Sequence, residues 1–121
     1  MVLVDTSVWV RHFREGDSNL EELLNSGDVM CHPYIIGELA CGNLKNRREV
    51  LSLLQLLPTA AVAKHEEILS FIDKNQLMGK GLGFIDVHLC GAALLSEATL
   101  WSYDKKLNEA NERFGIRYNP G

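Results

Sequence analysis

The sequence lacks several features that mark specialised classes of protein. It has 121 residues, only three prolines, and no internal repeat or low-complexity stretch, so nothing in it indicates a linker between domains. No apolar run approaches the ~20 residues that span a bilayer, and the first residues lack the basic stretch and apolar core of a signal peptide. With 46% hydrophobic and 23% charged residues, the composition is that of a globular protein. We therefore expect residues 1–121 to form one domain without a membrane partner.

Paired cysteines and an excess of positive charge are also missing. Cys31, Cys41 and Cys90 are widely spaced and form no C-x-x-C motif, which argues against a disulfide framework or a structural zinc site. All three lie among apolar neighbours, so we expect small core residues in a reducing cytoplasm. Twelve Lys and Arg against sixteen Asp and Glu leave a formal charge of −4. At first this charge argues against nucleic acid, which usually selects basic surfaces.

What the sequence does contain is an alternation of short apolar strands and helices. The predicted strands are 2–5, 29–31, 59–63 and 99–103, with a last edge strand at 116–118. The predicted helices are 7–14, 19–25, 33–41, 47–57, 65–78, 85–95 and 105–113. Strands separated by helices form a parallel sheet with helices on both faces. The sequence therefore predicts a three-layer α/β/α fold around a parallel sheet of four to five short strands.

Two carboxylates lie where predicted strands end. Asp5 closes the first strand and Asp104 follows the fourth. In parallel sheets, ligands bind outside the carboxyl ends of the strands, at the point where the strand order reverses. Asp is also a favoured N-cap residue, so capping of the next helix is the alternative for either side chain.

Two further carboxylates lie in apolar helical surroundings. Glu38 has Ile35 and Cys41 three positions away on either side, which places it on a largely apolar helical face. Asp86 begins a helix that is apolar on nearly every side, and a glycine-rich loop precedes it. A solvated glutamate and a capping aspartate are the respective alternatives. A buried carboxylate needs a cation or hydrogen-bond donors, because an uncompensated charge is expensive to bury.

If these four carboxylates converge, they form a metal site. Two like charges ~4 Å apart repel by roughly 4 kcal/mol at an effective dielectric near 20, so a dry cluster takes up protons or a metal ion. Oxygen ligands favour Mg²⁺ or Mn²⁺ over zinc, and hydrated, carboxylate-bound Mg²⁺ serves phosphoryl-group chemistry. Without the four carboxylates the remaining charges balance, twelve against twelve. The rest of the surface can then carry basic patches, so the total charge does not by itself exclude nucleic acid.

The motifs around these carboxylates resemble those of the PIN-domain ribonucleases. They are Val-Leu-Val-Asp-Thr-Ser at 2–7, Gly-Glu-Leu at 37–39, Asp86 at the start of an Ala-rich helix, and Ser-Tyr-Asp at 102–104. The resemblance covers essentially the whole chain, and its small size and opening resemble the VapC toxins of bacterial toxin–antitoxin pairs. Tyr103 departs from the pattern, since asparagine or arginine is common there, and His88 is not a usual site residue.

The resemblance implies a cytoplasmic, Mg²⁺-dependent endoribonuclease, with Mn²⁺ as a substitute, that a cognate antitoxin holds inactive. It also implies a homodimer. The implied catalytic residues are Asp5, Glu38, Asp86 and Asp104. Of these, the three aspartates would bind the metal, while Glu38 would bind the same ion or deprotonate the attacking water.

Other side chains are candidates for supporting or binding roles. Thr6 and Ser102 match hydroxyl positions beside the site, although helix capping is the simpler interpretation of Thr6. The candidates for contact with RNA or antitoxin are Arg11, Lys45, Arg47 and Arg48, and Lys105 and Lys106 after Asp104. Charge runs are usually solvated faces, but positive charge at a helix start opposes the helix dipole, which favours phosphate binding. By analogy, an antitoxin segment would lie in an apolar groove formed by Trp9, Phe13, Leu20, Leu23 and Leu24.

Two other functions remain open on the sequence. A phosphotransfer domain also places Asp at strand ends, but the haloacid-phosphatase type needs an Asp where this chain has Ser7, and a receiver needs an early pair of acids. The second open function is that of a non-catalytic PIN-like partner, which binds a DNA-recognising antitoxin and acts as a corepressor. Nuclease assays with Mg²⁺ or Mn²⁺ separate this partner from an enzyme.

Overall fold

A parallel sheet lies at the centre of the structure, a computed structural model that describes residues 1–120. Its strands are β1 (Val2–Val4), β2 (Val29–Met30) and β3 (Thr99–Trp101), in the order β2-β1-β3. In the register, Val2 lies opposite both Val29 and Thr99. All three residues of β1 are buried, as expected for an apolar strand in a sheet that is covered on both faces.

The two outer strands of the predicted sheet are reduced to single bridges. Thr59 pairs with Cys31 beside β2, and Arg117 pairs with Leu100 beside β3, both in parallel. The first bridge ends at once, because Pro58 has no N–H to donate and the N–H of Ala61 donates to Ser96 Oγ. The sheet therefore has three strands where four to five were predicted, while the segments expected at its two edges occupy those positions.

Seven helices connect the strands in the described part of the chain. They are α1 (Thr6–Glu15), α2 (Ser18–Asn25), α3 (Pro33–Ala40), α4 (Arg47–Leu54), α5 (His65–Asn75), α6 (Phe84–Leu95) and α7 (Lys105–Arg113). All seven correspond to predicted helices, but α4 and α5 end three residues early. The end of α5 follows from Gln76, whose left-handed backbone (φ 52°) stops the helix. Within residues 1–120 no helix has both the length and the apolar character to cross a membrane.

The connections place the helices in two layers. From β1 the chain moves outward through α1 to α4, past β2 to Thr59, and it returns through α5 and α6 to β3 on the other side of β1. Because parallel crossovers are right-handed, the outward and returning helices cover opposite faces of the sheet. The packing agrees, since α3 contacts α1 and α4, whereas α6 contacts α5 and α7. The predicted α/β/α layers are therefore present, and the direction of winding reverses between β1 and β3.

The cysteines divide between core and surface. Cys31 and Cys90 are buried free thiols, and burial raises their pKa values to about 11 and about 12. Cys41 is exposed, so the prediction of a core position was wrong for this residue. It is the C-cap of α3, and the core-facing side chains of that helix are Ile35 and Leu39.

Two histidines are core side chains. His32 and His88 are at most 1% exposed, with ring centroids 6.4 Å apart. His32 Nδ1 accepts a hydrogen bond from the N–H of Tyr34 at 3.0 Å and caps α3, so its proton is on Nε2, which has no partner among residues 1–120. Burial, followed by the nearby His88, lowers the pKa of His32 to about 4.

The low pKa of His32 makes the stability of the fold depend on pH. Between pH 6.5 and pH 4 the unfolded chain binds a proton that the folded His32 does not, so the free energy of unfolding falls as the pH falls, by up to about 3 kcal/mol. His32→Asn keeps a capping acceptor and removes this titration. In urea denaturation, we expect the free energy of unfolding of the variant, relative to that of the wild type, to increase by that amount between pH 7 and pH 4. Parallel pH profiles of the two proteins would contradict this account.

Candidate active site

The four predicted carboxylates are distributed around the carboxyl ends of β1 and β3. Asp5 directly follows β1, and its N–H donates to the carbonyl of Trp101 at the end of β3 (2.9 Å). Glu38 comes from α3, Asp86 from the first turn of α6, and Asp104 from the N-cap of α7. This edge of the sheet is where the direction of winding reverses, which is the position at which open parallel sheets bind ligands.

Two serine hydroxyls hold the carboxylate of Asp5, which is only 7% exposed. Its Oδ2 accepts from Ser7 Oγ at 2.9 Å and from Ser102 Oγ at 2.7 Å. The serines are held in turn, because Ser7 Oγ accepts from the N–H of Tyr103 and Ser102 Oγ accepts from the N–H of Asp104. Asp5 makes no side-chain cap to α1. The capping alternative is therefore wrong for this residue.

Ser7 is a supporting residue that the sequence analysis missed. The signal was present, because Ser7 belongs to the same short motif as Asp5 and Thr6. A hydroxyl two residues after an aspartate can reach back to that carboxylate. Ser102, which was predicted, is buried, and its own carbonyl accepts from Asn108 Nδ2 at 2.8 Å.

Asp86 and Asp104 do cap helices, but each uses one oxygen for this purpose. Asp86 Oδ2 accepts from the N–H of Gly83 at 2.9 Å, and Asp104 Oδ1 accepts from the N–H of Leu107 at 2.9 Å. The other oxygen of each side chain has no protein donor within residues 1–120. Capping fixes the orientation of both carboxylates without excluding a second role for them.

Glu38 differs from its expected environment. The sequence placed it on a largely apolar face, whereas the structure exposes it to solvent, because the buried side of α3 carries Ile35 and Leu39. Its Oε1 accepts from Thr6 Oγ1 at 2.7 Å. Thr6 thus lies beside a candidate site carboxylate, as expected, and it orients an accessible glutamate.

Within residues 1–120, the four carboxylates of the site have no ion-pair partner that would offset their negative charge. Burial raises the pKa of Asp86, and the charges of Asp5, Asp104 and Glu38 raise it further, against the hydrogen bond from Gly83. None of the four carboxylates forms an ion pair in the described part of the chain. These side chains are therefore close enough to repel one another and have no protein cation to offset that repulsion.

The donor set fits a hydrated divalent cation better than a closed cage. Among residues 1–120, no group of three or more His, Cys, Asp or Glu side chains is arranged to hold a metal ion directly. The dry cluster considered from the sequence is thus absent. Mg²⁺, however, usually keeps several waters and is bound through one or two carboxylates. The available oxygens and the missing counter-charge suit such an ion.

Four of the six basic candidates, Arg11, Lys45, Arg47 and Arg48, have different surroundings. Arg11 pairs with Glu15 at 3.5 Å and lies over the ring of Tyr103 at 5.0 Å. Arg47 donates to a backbone carbonyl of α3 at 2.7 Å, while Arg48 is simply exposed. Lys45 lines a cleft of about 650 Å³ that also includes Thr6 and Glu38. Of the four, Lys45 is therefore the one that shares a cleft with site residues.

The apolar groove considered for a protein partner exists in altered form. The ring of Phe13 stacks on Trp9, with centroids 5.7 Å apart, and together with Leu24 they line a groove of about 250 Å³. The groove is completed by Val50, Leu53 and Leu54 of α4 and by Leu57, which follows that helix. Leu20 is fully buried and does not belong to it.

Comparisons with known proteins agree with this architecture. Residues 2–113 match the PIN domain family. Ribonuclease VapC32 of Mycobacterium tuberculosis is 44% identical over 117 residues, which cover 96% of this chain and 94% of that protein. The match is the same for the protein of strain CDC 1551 / Oshkosh and for that of strain H37Rv.

Ser102 is predicted to contribute more to stability than its size suggests. Ser102→Ala removes a donor from the buried Asp5 and the acceptor of the Asp104 N–H, so we expect a loss of about 1–3 kcal/mol in the free energy of unfolding, measured with urea. Ser96→Ala, which removes one exposed hydrogen bond, is the matched control and should cost less. Equal losses in the two variants would show that the hydrogen bonds around Asp5 contribute no more to stability than one exposed hydrogen bond.

Proposed function

The chain belongs to the PIN-domain family, and from this premise we propose that it is an Mg²⁺-dependent endoribonuclease toxin of the VapC type. In this proposal it hydrolyses RNA phosphodiester bonds and a cognate antitoxin neutralises it. The observation that supports it most directly is the group of four carboxylates at the β1–β3 edge, without ion pairs among residues 1–120, where burial and the charges of Asp5, Asp104 and Glu38 raise the pKa of Asp86. The relatives named above are ribonucleases.

Asp5, Asp86 and Asp104 would hold Mg²⁺, or Mn²⁺ in its place, partly through water. When bound, the ion supplies positive charge that lowers the pKa of water and stabilises charge on the phosphoryl and leaving oxygens. The serine hydroxyls on Asp5 and the backbone N–H groups on Asp86 and Asp104 leave one oxygen of each carboxylate for this role.

Glu38 is the residue suited to accept a proton. Thr6 holds Oε1, which leaves Oε2 for a water molecule, and the exposure of the side chain gives both water and RNA access to it. The water oxygen attacks the phosphorus atom while its proton passes to Glu38. The bond from phosphorus to the leaving ribose oxygen then breaks, and that oxygen takes a proton from solvent.

The antitoxin would bind in the apolar groove lined by Trp9, Phe13 and Leu24, as an amphipathic segment laid along α1 and α4. Residues 1–121 would act as one domain, and two copies would form a homodimer, which the mass in solution tests. A reducing cytoplasm suits the three free cysteines.

Asp5→Asn should abolish RNA cleavage without unfolding the protein. Asparagine retains an oxygen that can accept from the serine hydroxyls but lacks the charge that binds a cation, so we expect Mg²⁺-dependent cleavage to fall by about 10²-fold or more. The measurement is cleavage of labelled cellular RNA with 5′-end mapping, alongside circular dichroism. Asp73→Asn, an exposed aspartate on α5, is the matched control and should cut normally.

Full Mg²⁺-dependent activity in Asp5→Asn would sink the proposed catalytic site. A wild-type protein that leaves RNA intact with both Mg²⁺ and Mn²⁺, yet binds its antitoxin tightly, would instead support the non-catalytic corepressor.

Metal binding should be visible without any cleavage assay. A ligand at about 100 times its Kd stabilises a fold by about 2.7 kcal/mol, so excess Mg²⁺ should raise the Tm of the wild type. Asp86→Asn should lose this increase. In metal-free buffer at neutral pH it should be at least as stable as the wild type, because the neutral amide can still accept from Gly83 and no longer repels the other carboxylates.

The sign of the second effect follows from the pKa of Asp86. A carboxyl whose pKa is raised by folding destabilises the folded state wherever it is ionised, so a neutral replacement relieves that cost. A metal-free variant that melts well below the wild type, or a Tm that Mg²⁺ raises equally in both proteins, would contradict this assignment.

A further inference from the structure

A second cleft lies beside the acidic site, between α7 and the connection from α5 to α6. One wall is a single face of α7, because the residues that line it, at 106, 109, 110 and 113, recur at intervals of three and four or lie next to each other on that face. The opposite wall is the loop at 76–82, and the volume between the walls is about 330 Å³. The charged side chains of the cleft are Lys80, Lys106, Glu109 and Arg113.

The cleft carries positive charge in a protein whose formal charge is −4. Three cationic side chains face one carboxylate, which leaves an excess of two positive charges. Lys80 and Arg113 form no ion pair in the described residues, and Lys106 meets Glu109 only at 3.9 Å. Exposed pairs of this kind contribute little, so the cations remain available to an anion.

Packing holds two of these cations in place. The stem of Lys106 lies on Gly81, where an added Cβ would meet Lys106 Cγ at 3.3 Å, and the φ of +78° also favours glycine there. The guanidinium of Arg113 lies over the ring of Phe114, 5.5 Å from its centroid, which is within the range of a cation–π contact. Side chains that are already positioned lose less conformational entropy when they bind a ligand.

The cleft and the acidic site share their supporting elements. Asp104 caps α7, and Lys106 follows it in the first turn of the same helix. On the other wall, Lys80 belongs to the loop that leads to Gly83, the residue whose N–H holds Asp86. A strand of RNA with one phosphate at the carboxylates would therefore continue along α7 past the cations.

We propose that this cleft binds the phosphate backbone of single-stranded RNA next to the bond that is cut. The proposal rests on the proposed function, because it takes RNA as the ligand of the neighbouring site. The cations act as point charges on phosphate, so binding here should be independent of base sequence.

The test is the salt dependence of RNA binding by the full-length Asp5→Asn protein in EDTA, with a short fluorescein-labelled oligouridylate. For single strands, each lost phosphate contact lowers the slope of log K against log salt by about 0.7. Lys80→Gln and Lys106→Gln should each have this effect, and the double variant should lower the slope by about 1.4. Glu109→Gln should tighten binding, because it removes the carboxylate from the cleft.

Matched controls come from a separate groove on α5, where Lys74 lies with Glu66. Lys74→Gln and Glu66→Gln change the net charge by the same amounts and should leave the slope unchanged. Equal effects in the two grooves, no measurable binding of the oligouridylate at low salt, or loss of antitoxin binding with an unchanged RNA slope would each overturn the proposal.

The two proposals fail in different ways. If the wild type cuts RNA but the cleft variants leave the salt slope unchanged, the RNA-binding role of the cleft is overturned and the ribonuclease proposal stands. If the cleft variants reduce the salt slope but the wild type cuts no RNA, the ribonuclease proposal is overturned and the RNA-binding role of the cleft stands.

Discussion

The carboxylate of Asp5 is almost excluded from water, and hydrogen bonds from the hydroxyls of Ser7 and Ser102 replace the hydration that it loses. Burial of such a charge is expensive unless donors satisfy it, so the ends of β1 and β3 must stay in register. The backbone bond from Asp5 to Trp101 enforces that register. Because Ser102 also receives the N–H of Asp104, the same contact places the start of α7. One buried carboxylate thus couples the centre of the sheet to two sides of the site.

The repeating patterns of the sequence predicted the helices well and the edges of the sheet less well. The limits of α7 were predicted correctly, since its apolar positions recur with helical spacing and Asp104 caps it. The early end of α5 depends on the left-handed backbone of Gln76, a conformation that its residue type does not announce. The predicted strand at 59–63 shrinks to a bridge because Pro58 precedes it and the N–H of Ala61 donates to Ser96 Oγ. Periodicity contains no information about the second of these causes.

The sequence indicated the positions of the candidate site residues better than their environments. Asp5, Asp86 and Asp104 surround one sheet edge as their places after strands and before helices indicated. Glu38 was expected on an apolar face, yet a short helix such as α3 buries only a narrow stripe and leaves the adjacent position in solvent. The contact of Ser7 with Asp5 could be inferred from their spacing. Its contact with the N–H of Tyr103, just beyond β3, could not, because sequence spacing does not reveal long-range contacts.

The distribution of exposure among the acids bears on how they could share a cation. Asp5 is buried and held by two donors, whereas Glu38 and Asp104 are exposed, so water reaches one side of the group and not the other. A fully dry cluster would neutralise itself by taking up protons, and a fully solvated one would be screened. The intermediate arrangement leaves room for a hydrated ion beside the carboxylates. The formal charge of −4 therefore says little about nucleic acid, because acids at one sheet edge and cations in the adjacent cleft produce opposite local fields from the same total.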